Sequence, residues 1–379
     1  MAPIATQAHE TFENLSIQAK EGVVTKARPI KPTGALDHLE HFDLTPVIGR
    51  EFPTANLVDI LNAQNADELL TELAYLISSR GVVFFRKQSD LTNTLQKQLV
   101  QRLGELSGKP KDSTLHIHPV LNSEGNVGED RDPDQQISTI SSKLFKKIYT
   151  LEHDTSRSPK KQSSDKWHSD IAFEPAPADY SSLRLTQLPK TGGDTLWASG
   201  YEIYDRISTP VQRFLETLTC TFNRPDFNAA AERGGFEIYS KPRGSPLNVG
   251  EKLQAIHPVI RTNPVTGWKS VYSVGQHISH INDVTAEESE LFLAWFKRLL
   301  IGNHDLQCRF KWNDVGDLAI WDNRCTFHNA TYDFEGLGDR AGNRAVSVGE
   351  RPFFDPGSVG RREALERDGV EAGGYFLIP

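Results

Sequence analysis

The tripeptide His168-Ser169-Asp170 places two potential metal ligands two positions apart. On a β-strand, residues i and i+2 point to the same face, so an imidazole and a carboxylate would enter one cavity together. They are two ligands of the 2-His-1-carboxylate triad, which leaves three coordination positions of Fe(II) open. A surface histidine near an aspartate without any metal would give the same tripeptide. The tripeptide alone therefore makes this place only a candidate metal site.

A third ligand has to come from a distant part of the chain, and His328 is a candidate. It lies in the strand-like segment WDNRCTFHNA (321–330), among apolar neighbours. A core histidine that is hydrogen-bonded to the backbone is the alternative for such a residue. Because the chain contains 12 histidines, spacing alone does not select His328.

Two arginines downstream of His328 could bind anions. Arg340 and Arg344 lie in DRAGNRAVSV (339–348), and a guanidinium fork binds a carboxylate or a sulfonate through two hydrogen bonds. Exposed salt bridges are the alternative. Thr195, in TGGDTLWAS (191–199), offers a hydroxyl donor near a glycine turn, or forms only a hairpin tip.

The segment HIHP (116–119) carries two imidazoles on one face of an extended chain. Three interpretations remain open for His116 and His118: a second metal site, a substrate clamp or a solvated loop.

Composition excludes several classes of protein. The 379 residues carry 42 Lys and Arg against 50 Asp and Glu, a net charge of −8, which disfavours a general nucleic-acid binder. No apolar run approaches the ~18 residues that cross a bilayer. The first residues do not resemble a secretory signal, and the 3 cysteines have no metal-type spacing. We therefore expect a cytoplasmic protein with free thiols and no membrane or nucleic-acid partner; a homo-oligomer is compatible with the sequence.

The pattern of elements favours a mainly β fold with flanking helices. Apolar residues at helical spacing predict helices at 57–63, 66–80, 92–106, 201–218 and 287–301. Short strands are predicted around them, including one over 167–174, whereas 222–254 reads as irregular. Many short strands with even turn spacing indicate an all-β sandwich or roll.

Three regions fall outside this pattern. Residues 1–35 predict a flexible N-terminal arm, and 356–379 form a C-terminal tail. Residues 122–166 are rich in Asp, Ser, Pro and Gly and predict a long loop, which is either a lid over a site or a tolerated surface insertion.

Beyond these local patterns, the chain resembles the TauD/TfdA family of Fe(II)- and 2-oxoglutarate-dependent dioxygenases over roughly residues 40–355. The resemblance is carried by segments that stand in the family's order: LHIHPV (115–120), WHSDIAFE (167–174), LPKTGGDTLWASG (188–200), HPVIRTNPVTGWKS (257–270), AIWDNRCTFHNATYDF (319–334) and RAGNRAVSVGERP (340–352). It implies a double-stranded β-helix, or cupin-like jelly roll, flanked by helices.

The resemblance also implies roles for the candidate residues. His168, Asp170 and His328 match the iron ligands. Arg340 matches the arginine that binds the distal carboxylate of 2-oxoglutarate, and Thr195 matches the residue that assists it.

Arg344 and His118 match the pair that holds the sulfonate in taurine dioxygenases. Leu121 replaces an aromatic residue of those enzymes, however, and Gln276-His277-Ile278 replaces another part of their substrate wall. The chain is most similar to fungal sulfonate-dioxygenase-like members.

We therefore expect O₂-dependent hydroxylation of a small anionic substrate, with a sulfonate favoured, and release of succinate and CO₂. Sulfite and an aldehyde would also form if the hydroxylated carbon bears the sulfonate. A carboxylate, a sulfate ester or a specialised metabolite is the alternative substrate. A non-catalytic jelly-roll binding protein and a zinc hydrolase are the alternative functions.

Overall fold

The computed structural model describes residues 27, 29–122, 134–144 and 166–371. Those parts of the predicted arm, loop and tail that fall outside these ranges lie outside the described residues. Strands in the described chain are β1 (Phe42–Asp43), β2 (Arg50–Phe52), β3 (Val82–Phe85), β4 (Ser138–Ser141), β5 (Ala178–Gln187), β6 (Thr195–Ser199), β7 (Thr219–Asn223), β8 (Gln254–Pro258), β9 (Ile260–Thr262), β10 (Lys269–Val271), β11 (Ile278–Ile281), β12 (Gln307–Phe310), β13 (Leu318–Asp322), β14 (Thr326–Ala330) and β15 (Ala341–Val348). Helices are α1 (Leu57–Asn62), α2 (Ala66–Arg80), α3 (Asn93–Leu106), α4 (Gly200–Asp205), α5 (Thr209–Leu215), α6 (Pro225–Gly234), α7 (Ala286–Gly302) and α8 (Arg361–Arg367).

The main sheet has the strand order β1-β2-β3-β13-β5-β15-β4, and smaller sheets have the orders β12-β6-β14, β11-β7-β8 and β10-β9. Apart from the parallel pair β2 and β3, these strands pair in the antiparallel direction. The described chain is therefore mainly β with flanking helices, as predicted.

Successive side chains of β3 point to opposite faces of the main sheet, so they pack into two separate hydrophobic cores. Val83 and Phe85 pack in one cluster with residues of α1, α2 and α3. Val82 and Phe84 point the other way, toward the β12-β6-β14 sheet. There Phe84 stacks on Phe310 with 4.1 Å between ring centroids. The main sheet is thus held between helices and the smaller sheet that carries Thr195 and His328.

The structure corrects three secondary-structure predictions. The described part of the predicted loop over 122–166 contains β4, which pairs with β15 at the edge of the main sheet. The strand predicted over 167–174 is wrong: His168 forms an isolated bridge to His328, and the chain then turns at Ile171, where φ is +47°. The region 222–254 is not wholly irregular, because α6 occupies residues 225–234. Pro225 at its start and Gly235 in the left-handed conformation at its end are helix-boundary signals that the sequence reading took for loop.

Both ends of the described chain contact the domain. In the predicted arm, the N–H of Ile30 donates to the carbonyl of Val265 at 2.8 Å. In the predicted tail, Arg361 and Arg362 of α8 pair with Glu202 of α4 at 3.1 and 2.9 Å.

The three cysteines are buried and free, which confirms the prediction of unpaired thiols. Among the described residues, no helix has the length and apolar character needed to cross a bilayer.

Candidate active site

A cavity of about 490 Å³ opens between the main sheet and the β12-β6-β14 sheet. It is lined by the residues that the sequence nominated, among others: His118, His168, Asp170, Thr195, His328, Arg340 and Arg344. Residues separated by more than 200 positions in the sequence therefore meet in one space.

The potential metal ligands converge through backbone pairing. The N–H of His168 donates to the carbonyl of His328 at 3.1 Å, and the N–H of His328 donates to the carbonyl of His168 at 2.9 Å. Asp170 follows two residues later, and one ligand atom from each of the three side chains lies within 4.8 Å of the other two. Oδ1 of Asp170 is 3.9 Å from Nε2 of both His168 and His328.

Two of these ligands are oriented by hydrogen bonds at the side-chain atom that does not face the other ligands. Nδ1 of His168 donates to the carbonyl of Lys166 at 2.8 Å, which leaves Nε2 as the ligand atom. Oδ2 of Asp170 accepts a hydrogen bond from the hydroxyl of Ser181 at 2.8 Å, which leaves Oδ1 toward the imidazoles.

Asn323 supports this arrangement, and the sequence analysis missed it. Its Oδ1 accepts hydrogen bonds from the N–H of Asp170 and from the indole of Trp321, both at 3.0 Å. Its Nδ2 donates to Ser181 at 2.9 Å. The signal in the sequence was an asparagine inside an apolar strand-like segment, which is uncommon without a hydrogen-bonding role.

Electrostatics give the three ligands the protonation states that a metal requires. Burial would raise the pKa of Asp170, but the guanidinium of Arg344 and the hydrogen bond from Ser181 oppose this effect, and the pKa is held well below its usual range. Burial lowers the pKa of His328 to about 3, and it also lowers that of His168. Neutral imidazoles and an ionised carboxylate are the metal-binding forms.

Arg340 lies beside Thr195, and its guanidinium forms hydrogen bonds but no ion pair with a described residue. Its Nε donates to the carbonyl of Gly193 at 2.8 Å, and its Nη2 donates to the Thr195 hydroxyl at 3.3 Å. Burial lowers the pKa of this arginine to about 10. Among the described residues its guanidinium bonds only these two neutral oxygens, and the carboxylate of Asp194 acts on its charge from a longer distance. A Cβ at Gly193 would lie 2.8 Å from Cδ of Arg340, so a glycine makes room for the arginine.

Arg344 contacts the potential metal ligands directly. Its Nη1 donates to Oδ1 of Asp170 at 2.6 Å, a contact that the sequence did not predict. Its Nε is buried and has no hydrogen-bond partner among the described residues. The guanidinium therefore retains a donor for a further ligand.

The two histidines of the HIHP segment have different surroundings. Nδ1 of His118 accepts hydrogen bonds from the N–H groups of Val120 and Leu121 at 3.2 and 3.1 Å, so Nε2 carries the proton of the neutral ring. His116 instead pairs with buried Glu174 at 3.2 Å, which also binds Arg243. Both histidines are buried, so the solvated-loop interpretation is wrong, and His116 belongs to an internal ion cluster.

Cations outnumber anions around the cavity, and the sequence analysis missed three of them. The cationic lining residues are Lys166, Arg224, Arg233, Arg340 and Arg344, against the carboxylates of Asp170 and Asp226. Arg233 belongs to α6, a helix that the sequence reading did not identify. An excess of positive charge favours anionic small molecules.

Comparison with known proteins agrees with this geometry. The family described as taurine catabolism dioxygenase TauD, TfdA family matches residues 40–346, and the chain belongs to this family. It is 52% identical to the alpha-ketoglutarate-dependent dioxygenase btcD of Neocamarosporium betae over 89% of this chain and 98% of that protein. The protein is accordingly an alpha-ketoglutarate-dependent dioxygenase, an enzyme that uses 2-oxoglutarate and O₂ as cosubstrates.

Two further comparisons cover more distant proteins. The chain is 31% identical to the alpha-ketoglutarate-dependent sulfonate dioxygenase of Saccharomyces cerevisiae, over 82% of this chain and 67% of that protein. It superposes on a taurine dioxygenase from Burkholderia xenovorans with a TM-score of 0.60 and 23% identity, over 84% of this chain and 92% of that one. The structural match confirms the predicted jelly-roll fold.

Proposed function

We propose that the enzyme hydroxylates a small anionic substrate, with a sulfonate favoured over a carboxylate or a sulfate ester. The reaction uses Fe(II) held by His168, Asp170 and His328. The observation that carries this proposal is the convergence of these three ligands with two partly unpartnered arginines in one cavity.

The donor set fits Fe(II). Two neutral imidazoles and one carboxylate occupy one side of a metal and leave room for a chelating cosubstrate and O₂. Bound iron, with 2-oxoglutarate and O₂, supplies the oxidising power that replaces a C–H bond by C–OH and releases succinate and CO₂. A zinc hydrolase would account for the same ligands but not for the buried Arg340 that lacks a carboxylate partner.

The residues around the cavity position the two small molecules. Arg340 and Thr195 would bind the distal carboxylate of 2-oxoglutarate, since a buried guanidinium needs an anionic partner. Arg344, which lines the cavity, would bind the anionic group of the substrate, and His118 would add a hydrogen bond from Nε2. Fixing the anion determines which C–H bond faces the iron.

A substrate screen tests the proposal. Succinate formation should rise above the substrate-free rate with one or more small sulfonates, whereas neutral and cationic analogues of the same carbon skeleton should not stimulate it. A neutral or cationic compound as the best substrate would contradict the assignment of Arg344 and His118.

Replacing Arg344 by alanine should reduce substrate-stimulated turnover at least about a hundredfold, because a desolvated charge–anion contact contributes about 3 kcal/mol or more. His118→Ala should have a smaller effect, about fivefold to twentyfold, because a neutral imidazole contributes one hydrogen bond. Both variants should still bind 2-oxoglutarate, measured by equilibrium titration under nitrogen. Normal turnover by Arg344→Ala would show that the substrate anion binds elsewhere.

Replacing Asn323 by alanine should weaken Mn(II) binding about tenfold to a hundredfold, because its hydrogen bonds orient Asp170 and Ser181. Asn248→Ala is the matched control: Asn248 is equally buried and bonds both backbone groups of Ala176, away from the triad. Both variants should lose about 1–3 kcal/mol of unfolding free energy, but only Asn323→Ala should lose metal affinity. Equal Mn(II) affinities in a calorimetric titration would contradict the role given to Asn323.

A further inference from the structure

We propose that His277 is a specificity-determining residue that forms a hydrogen bond to the body of the substrate, so that the preferred substrate carries an oxygen-containing polar group besides its anion. This inference rests on the proposed function and concerns the same cavity. His277 directly precedes β11, is 6% exposed and lines the cavity.

The imidazole of His277 is surrounded by aromatic rings. It packs edge-on against Phe173 and against His168, each with 5.4 Å between ring centroids. Its Nδ1 is buried and has no hydrogen-bond partner among the described residues. A buried polar atom without a partner is destabilising, so this ring is suited to a partner that the chain itself does not provide.

Apart from the candidate metal ligand His328, the other buried histidines of the cavity region have at least one ring nitrogen hydrogen-bonded within the protein. His116 contacts Glu174, His118 accepts from two backbone N–H groups, and His168 donates to the carbonyl of Lys166. His257, behind the cavity wall, contacts the carbonyl of Ala172 at 2.9 Å. His277 shares with His328 a buried Nδ1 that has no hydrogen-bond partner among the described residues, but unlike His328 it is not one of the candidate metal ligands.

The surroundings of His277 select the type of group that it would bind. An imidazole nitrogen can donate or accept a hydrogen bond, so the ring can pair with a hydroxyl in either direction and can donate to a carboxylate. Arg224 lies close to this segment, with Nη1 3.5 Å from the carbonyl of Gln276, and its charge is already paired with Asp226 at 3.1 Å.

His277 and Arg344 contact the triad at different ligands. His277 packs against His168, whereas Arg344 binds Asp170. A substrate held by both residues would be fixed at two points beside the metal. A site that hydrogen-bonds a substrate oxygen discriminates strongly against an analogue that lacks this oxygen, because its own polar group is then left unpaired.

The test compares probe substrates that differ by one oxygen-containing group. For the wild-type enzyme we expect kcat/KM for 3-hydroxypropane-1-sulfonate or 3-sulfopropanoate to exceed that for propane-1-sulfonate by about tenfold or more. His277→Phe should reduce this ratio to near one, and His277→Gln should keep part of it. His280→Phe makes the same chemical change on an exposed residue of β11 and should leave the ratio unchanged. An unchanged ratio in His277→Phe overturns the inference.

Two further measurements separate this inference from the proposed function. The comparison is repeated with butanoate and 4-hydroxybutanoate, so a ratio that depends on His277 supports the inference even if sulfonates are not turned over. If neither series stimulates succinate formation, the melting temperature of the substrate-free protein decides. His277→Phe should raise it by about 1–3 °C, because the substitution removes an unpaired polar atom. A lower melting temperature overturns the inference.

Discussion

Replacing Asp170 by asparagine should lower the affinity for Mn(II), a redox-stable substitute for Fe(II), by at least about a hundredfold and abolish succinate formation. Asparagine has the same size and can still accept the hydrogen bond from Ser181. It lacks the negative charge that balances the metal, and removing one partner from a buried charged set costs about 3–5 kcal/mol. A calorimetric Mn(II) titration measures the change directly.

Asp205→Asn serves as the control for this experiment. It removes a carboxylate from α4, outside the cavity, and should leave Mn(II) binding unchanged. Because Asp170→Asn also leaves Arg344 without its partner, the melting temperature of both variants should be recorded. Wild-type affinity for Mn(II) in a folded Asp170→Asn protein would mean that the metal binds at another place.

Replacing Arg340 by alanine should weaken 2-oxoglutarate binding by two to three orders of magnitude. The distal carboxylate would then lie in a buried pocket without a charged partner, at a cost of about 3–5 kcal/mol. Arg340→Lys should recover part of the affinity, because lysine restores the charge but not the paired donors. The dissociation constant of 2-oxoglutarate from the Mn(II)-loaded enzyme is the quantity to measure.

Arg309→Ala is the matched control for Arg340. Arg309 is an exposed arginine on β12 that pairs with Asp194, next to Thr195. Its loss should change 2-oxoglutarate affinity less than threefold, since exposed ion pairs contribute about 0–1 kcal/mol. Equal losses in the two variants would show that general positive charge, rather than a direct contact from Arg340, supports binding.

The three candidate metal ligands could be predicted from the sequence only in part. The spacing of His168 and Asp170 predicted both residues, although the strand on which this argument relied does not form: His168 makes only an isolated bridge, and the chain turns at Ile171. His328 could not be selected by spacing, because its place depends on backbone pairing between distant segments. Only the resemblance to a family, which supplies that pairing in advance, identified it.

The residues that orient the candidate metal ligands could not be predicted from local sequence patterns. Asn323, in the turn after β13, and Ser181, on β5, act through hydrogen bonds between segments that are distant in the sequence, and neither residue type is specific to such a role. The ion pair of Arg344 with Asp170 likewise depends on the folded sheet. By contrast, α6 could have been predicted, because Pro225 and Gly235 mark its two ends.

The most direct test of the central claim is the visible absorption spectrum of the anaerobic enzyme titrated with Fe(II) and then with 2-oxoglutarate. A weak charge-transfer band should appear only when both are present, because it requires 2-oxoglutarate chelated to iron. Asp170→Asn should not develop the band, and Arg340→Ala should develop it only at much higher 2-oxoglutarate concentrations. A wild-type protein that binds no Fe(II), or that binds it without developing the band, would contradict the assignment of His168, Asp170 and His328 as the iron site of this dioxygenase.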